Sequence, residues 1–300
     1  MNKQRRADLL LVLVTGFWGM SYYFTDLCMS GMSPMSLNAF RFLIGFGVLA
    51  AFFGKKMWPV SRTTLKYGVL VGLALSAVYV LYAYGILHTS ITNAGFICAL
   101  PVVTTPLIEF AVSGKRPGKK LFLALAVCTA GMAMLTLNEQ FKPALGDILC
   151  LGVAVFYGVD LVITDRAVRK PEVDPLQMGV IQLGVVGAVT LILTLALEKP
   201  TLPNTPTVWA AALFLAIFCT GIAFVVQTVQ QQYTTASHVG LIFTLEPLFS
   251  ALVAFFLAGE RLRPVGYAGA VLMMASLVLM EANPGARKRE KARAGQRSQK

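Results

Sequence analysis

Between residues 7 and 280 the chain falls into one apolar block after another, each about twenty residues long and separated from the next by a short polar turn. A hydrocarbon core roughly 30 Å thick takes about 20 residues of helix to cross. Ten such blocks fit, at 7–27, 34–54, 65–87, 91–112, 120–137, 146–164, 175–197, 206–230, 236–258 and 262–280. In lipid every backbone amide must find a partner inside the protein, which leaves only helices and closed barrels. Unbroken apolar runs do not match the alternating pattern of barrel strands. The expectation is an all-α membrane protein with ten transmembrane helices. With 56% hydrophobic and 13% charged residues, the composition does not describe two soluble domains.

A net charge of +12 invites a nucleic-acid reading, but the placement of the charges argues against it. If the N-terminus is cytoplasmic, nearly every Lys and Arg falls on an inner loop or tail. The exceptions are Lys142, Lys199, Arg261 and Arg263 outside, and Arg41 within a span. The positive-inside rule then places both termini in the cytoplasm of a multi-pass protein of the cytoplasmic (inner) membrane. The basic tail, 283–300, lacks apolar periodicity and is expected to be disordered. It serves either as a topology signal or as a contact to anionic lipid. Five cysteines stand singly, with no paired spacing and no histidine cluster, so neither a disulfide framework nor a metal or other cofactor is expected. The first block has the basic start of a signal peptide, but Tyr22, Tyr23 and Phe24 stand where a cleavage site needs small residues. It reads as a retained span.

The two halves of the chain resemble each other. Phe17-Trp18-Gly19 with Asp26 recurs as Phe156-Tyr157-Gly158 with Asp165 at one constant offset. Pro34 and Arg41 recur as Pro175 and Gln182, and the segment from His88 to Gly95 recurs as Tyr233 to Gly240. Leu100-Pro101 lies near Glu246-Pro247, and Gly114-Lys115 over Gly259-Glu260. Matches among Pro, Gly, Asp and aromatic residues carry more weight than matches among Leu and Val. Residues 1–138 and 139–282 are therefore expected to be two copies of one unit. Five spans per copy is an odd number, so the second copy enters the membrane from the opposite side. Such an inverted five-plus-five repeat supplies two arrangements of nearly equal energy, the basis of alternating access.

These residues resemble the drug/metabolite transporter superfamily, in its ten-helix form with two EamA-like domains. The resemblance rests on Trp18-Gly19, on Pro34 with Ala39-Phe40-Arg41-Phe42, and on Asn93-Ala94-Gly95 before Leu100-Pro101. It also rests on Thr244-Leu245-Glu246-Pro247 followed by Gly259-Glu260-Arg261-Leu262. It implies ten helices, a central cavity and export of amino acids, related metabolites or drugs. The first copy departs from the pattern at Gly114-Lys115-Arg116, where the second has Gly259-Glu260-Arg261-Leu262.

Charges inside a span are costly and should face a cavity or a partner. Glu246, near mid-membrane and followed by Pro247, is a candidate proton-coupling carboxylate or a structural hydrogen-bond acceptor. Asp160, on a stripe with Tyr157 and Thr164, is the second coupling candidate. Arg41 lies roughly 10 Å below the outer surface at 1.5 Å per residue. It either snorkels or pairs with a substrate carboxylate or an embedded acid. Trp18, Tyr22, Tyr79 and Tyr82 share the candidate wall with Tyr157, and Gln227 and Gln231 offer buried amides in need of partners. Asp26, Asp165, Pro101 and Pro247 are read as gate or structural positions. Gly68 and Gly72 form a close-packing pair.

A small solute and the lipid bilayer are the expected partners, with the chain a monomer or homodimer. Three other readings compete with the carrier: a lipid or lipid-linked solute flippase, a passive channel, and an intramembrane enzyme. A channel filter is not apparent. For an enzyme, His88 and His238 fall at opposite faces, and Asp160 and Asp165 project about 140° apart around one helix.

Overall fold

The computed structural model describes residues 3–85, 87–89, 97–114, 118–136, 145–258 and 264–281. Among these, ten helices follow one another and there is no strand: α1 (Lys3–Met29), α2 (Pro34–Phe53), α3 (Arg62–Gly85), α4 (Pro101–Ser113), α5 (Lys119–Thr136), α6 (Leu145–Ala167), α7 (Pro175–Leu197), α8 (Pro206–Gln231), α9 (Ala236–Leu257) and α10 (Pro264–Glu281). Seven of them, all but α4, α5 and α10, are long and apolar enough to cross a membrane. The expected start of the fourth span, the tail and the Gly259-Glu260-Arg261-Leu262 motif lie outside the described residues.

Local chemistry sets the helix starts. Proline opens α2, α4, α7 and α8, where its missing N–H is no loss. Asp174 caps α7 by accepting from the amides of Leu176 and Gln177 at 2.8 and 3.0 Å. Thr205 and Thr235 cap α8 and α9 through their hydroxyls. Two helices depart from regular geometry. In α8, residues Leu215–Ile222 widen to π pitch. In α9, the α-helical run stops at Phe243 and resumes at Glu246, with Leu245 N–H reaching back only to Ile242 O at 3.0 Å. The approach to α4 has the same interruption: Leu100 N–H reaches back to Ile97 O at 3.1 Å before Pro101 starts the helix.

Loops sort to two ends. At one end, which carries the N-terminus, the α2–α3 and α6–α7 connections are tied by Gln177 donating to Lys56 O and by Ser61 donating to Glu172 O. At the other, Ser33 N–H donates to Thr201 Oγ1 and Thr201 N–H to Ser36 Oγ, joining the α1–α2 and α7–α8 connections. Between the ends α2 packs on α7 and α8, α3 on α6 and α7, α1 on α8 and α9, and α4 on α6 and α9; α5 and α10 pack on each other at one side. Small residues allow the closest crossings. A Cβ at Gly19 would sit 2.4 Å from Phe249 Cβ and 2.8 Å from Ser250 N, so α1 meets α9 backbone to backbone. Gly68 and Gly72 seat Ile181 and Val185 of α7 in the same manner. The exterior carries Leu9, Leu13, Phe52, Phe122, Ile192 and Phe256 at more than half exposure. Such a surface suits lipid and not water.

Candidate functional site

Six helices send an aromatic ring to one place inside the bundle. Trp18 of α1 is 5% exposed and packs against Phe243 of α9 at 4.8 Å, Phe224 of α8 at 5.1 Å and Tyr157 of α6 at 6.3 Å between ring centres. Tyr79 of α3 meets Phe42 of α2 at 4.7 Å and Phe224 at 6.3 Å. These edge and tilted contacts suit the ring quadrupoles. The indole N–H donates to the carbonyl of Cys219 at 3.0 Å. That carbonyl belongs to the π stretch of α8, where wider i→i+5 pairing replaces the regular i→i+4 bonds.

Polar groups gather around this aromatic cluster. Arg41 is 5% exposed, its Nε donates to Thr220 Oγ1 at 2.6 Å, and its guanidinium carbon lies 5.7 Å from the Tyr79 ring centre. It does not snorkel; Thr220 and the rings hold it inside. Glu246, at the restart of α9, has the Tyr22 hydroxyl as its hydrogen-bond partner and the positive charge of Arg41 nearby. Tyr22 keeps 42% of its surface exposed while its hydroxyl meets Glu246. Asp160 is 1% exposed beside Gln227, and one oxygen of each has no protein partner. Unpaired buried oxygens of this kind are costly unless something with N–H or O–H groups, solute or water, meets them.

The remaining expected site residues divide. Tyr82 stands near Glu246 and Cys98. Gln231 donates from Nε2 to Leu161 O at 2.6 Å, a bond that ties α8 to α6. Gln182, at the position matching Arg41, is likewise buried and donates to Thr228 at 2.9 Å. Asp165 pairs with Arg169 at 2.7 Å, away from the aromatic cluster, while Asp26 is exposed near the end of α1. Pro101 and Pro247 sit at the first turns after the two helix interruptions. Sequence reasoning missed Phe42 and Phe243, and it missed that Cys98 and Cys150 bring their thiols within hydrogen-bond reach of each other. It also missed the contact of Asp8 with His238.

Comparison with known proteins gives this geometry a context. The model of the EamA-like transporter family matches the chain twice, at residues 5–137 and 144–281. A relative from Archaeoglobus fulgidus, described as an uncharacterized transporter, is 28% identical over 278 residues, covering 93% of this chain and 86% of its own. The uncharacterized transporter YwfM of Bacillus subtilis is 25% identical over 293 residues, covering 95% and 97%. One solved crystal structure shares the fold with a TM-score of 0.80 at 18% identity, covering 92% of this chain and 96% of that one. With the family model matched along nearly its whole length, this multi-pass membrane protein belongs to the EamA-like transporter family.

Proposed function

We propose that the chain is a secondary carrier that exports an amino acid or a related small metabolite or drug across the cytoplasmic membrane by alternating access. Both termini lie in the cytoplasm, and Glu246 is the proton-coupling carboxyl. One observation carries this reading: Arg41, Glu246 and Asp160, the last with Gln227, stand around Tyr79 in an aromatic wall drawn from six helices, inside a bundle with an apolar exterior. Opposite charges and unpaired amide and carboxyl oxygens against rings suit a small solute with an apolar body and a few polar groups.

The packing supports an inverted repeat. Exchanging each helix of the first five with the helix five places later turns the α1–α9 contact into α6–α4, α1–α8 into α6–α3, and α3–α7 into α8–α2, all of which are present. The pairs α2–α7, α4–α9 and α5–α10 map onto themselves. Residue by residue, Gly19 faces Phe249 and Ser250, while its counterpart Gly158 faces Thr104 and Thr105, the counterparts of those two. Two interruptions at matching places, before Pro101 and before Pro247, give each copy a bend around which it can rock.

The substrate is to be sought by screening uptake of amino acids, nucleobases and cationic dyes into vesicles with the purified chain. With a transported solute in hand, Glu246→Gln is expected to abolish stimulation by a pH gradient while leaving solute exchange. Unchanged stimulation removes Glu246 from the coupling role.

A further inference from the structure

At the end that carries the N-terminus, α1 and α9 meet through two buried ionisable groups. Asp8, 8% exposed, and His238, 7% exposed, bring Oδ1 and Nε2 to 3.3 Å. Neither atom makes a hydrogen bond, so the two stand at ion-pair distance without an aligned bond between them. A charge-assisted N–H···O contact is typically about 2.7–2.9 Å, so this pair has room to tighten. His238 is also reachable from water, because it lines a cavity of about 340 Å³ bounded by Gln4, Arg169 and the turn from Gln232 to Thr235.

Arg5 and Arg6, at the start of α1, are exposed, and the other charged groups around His238 have contacts of their own. Arg169 holds Asp165 at 2.7 Å and donates to Thr234 O at 2.9 Å, with Glu109 close enough to act on it. Glu109 accepts the hydroxyl of Ser237, the residue before His238. Lys3 lies over the Tyr233 ring at 5.9 Å. Lysine and arginine keep their charge across the physiological range, and the two carboxylates have their own donors. Imidazole is the side chain that exchanges charge between about pH 5 and 8.

We propose that Asp8 and His238 form a second proton-binding site, a clasp that closes the N-terminal end of the bundle when His238 is protonated and loosens when it is not. The sign follows from the charges. With the imidazole cationic, the contact is an ion pair that draws α1 and the start of α9 together; with it neutral, Asp8 faces a weak partner and the attraction falls. The clasp therefore tightens as pH falls on that side. Because α9 runs on from His238 to Glu246, a proton at the clasp biases which side the central groups face. That consequence rests on the carrier reading, whereas the clasp itself does not.

The test is hydrogen–deuterium exchange on the full chain in lipid nanodiscs, with each amide corrected for its intrinsic pH dependence. Amides of 232–240 are expected to exchange roughly tenfold more slowly at about pH 6 than at about pH 8, the scale of one charge-assisted hydrogen bond. His238→Gln abolishes that difference, and so does Asp8→Asn; Arg169→Ala keeps it. If Asp8→Asn fails to fold, His238→Gln decides alone. Equal exchange at both pH values in the unaltered chain, or a difference that survives His238→Gln, overturns the clasp. Neither result touches the Glu246 experiment, which reads transport.

Discussion

The start of α1 and the start of α6 occupy comparable places at opposite ends of the bundle, yet different chemistry secures them. Near the N-terminus, Asp8 of α1 faces His238 at the entry to α9. At the far end, Asp147 of α6 accepts the hydroxyl of Thr89 in the approach to α4, and Gly146 N–H donates to His88 O at 3.1 Å. Each helix then crosses its partner at a glycine, Gly19 against α9 and Gly158 against α4. The geometry is shared, with an imidazole facing the aspartate at one end and a threonine hydroxyl at the other. An imidazole changes charge near neutral pH and a threonine hydroxyl does not. Matching backbone frames thus present different side chains to the same carboxylate.

The glycine crossings offer the largest lever on that comparison. At Gly19 a methyl group meets Phe249 Cβ and the α9 backbone within 3 Å, whereas at Gly158 its nearest neighbours are the tips of Ile108 and Thr104, with backbone at 3.2 Å. Overpacking a tight contact costs about 1–3 kcal/mol. Gly19→Ala is expected to lower the thermal midpoint in detergent by about 3–8 °C, and Gly158→Ala by less than half as much. The reverse order would mean that the two crossings are not built alike. Next in size is Asp147→Asn, which takes the charge from an acceptor and is expected to cost about 1 kcal/mol in denaturant unfolding. In the exchange experiment it adds no difference between the two pH values at 145–150; a new pH dependence there would break the contrast between the ends. Arg169→Ala should have the smallest effect, because the arginine side chain is 49% exposed and its pair with Asp165 is screened. Less than about 1 kcal/mol is expected, shrinking further in high salt.

Much of the helix order can be read from the sequence because lipid penalises errors in it. The seventh block, 175–197, coincides with α7, and the second ends within a residue of α2. Intramembrane Arg41, Asp160, Gln227 and Glu246 stand out for the same reason, since hydrocarbon tolerates them only beside partners. Phe42 and Phe243 do not stand out. They are two of nineteen phenylalanines in a chain whose lipid-facing and inward-facing surfaces are both apolar, so composition cannot say which way a ring points. Thr220 falls on one stripe of α8 with Phe224, Gln227 and Gln231, but its role depends on Arg41, far away in sequence and close only after folding. Asp8 and His238 were hidden by the same separation in sequence.

The widened stretch of α8 fixes more than the acceptor for Trp18. A π turn amounts to one surplus residue in an α-helix, and each residue turns the helix by about 100°. Deleting one position between Leu215 and Ile222 would restore ordinary pitch and swing everything beyond it around the axis. Gln227 would leave Asp160, and Gln231 would lose Leu161. The pairing of both amides with α6 therefore hangs on a single added residue two to four turns upstream.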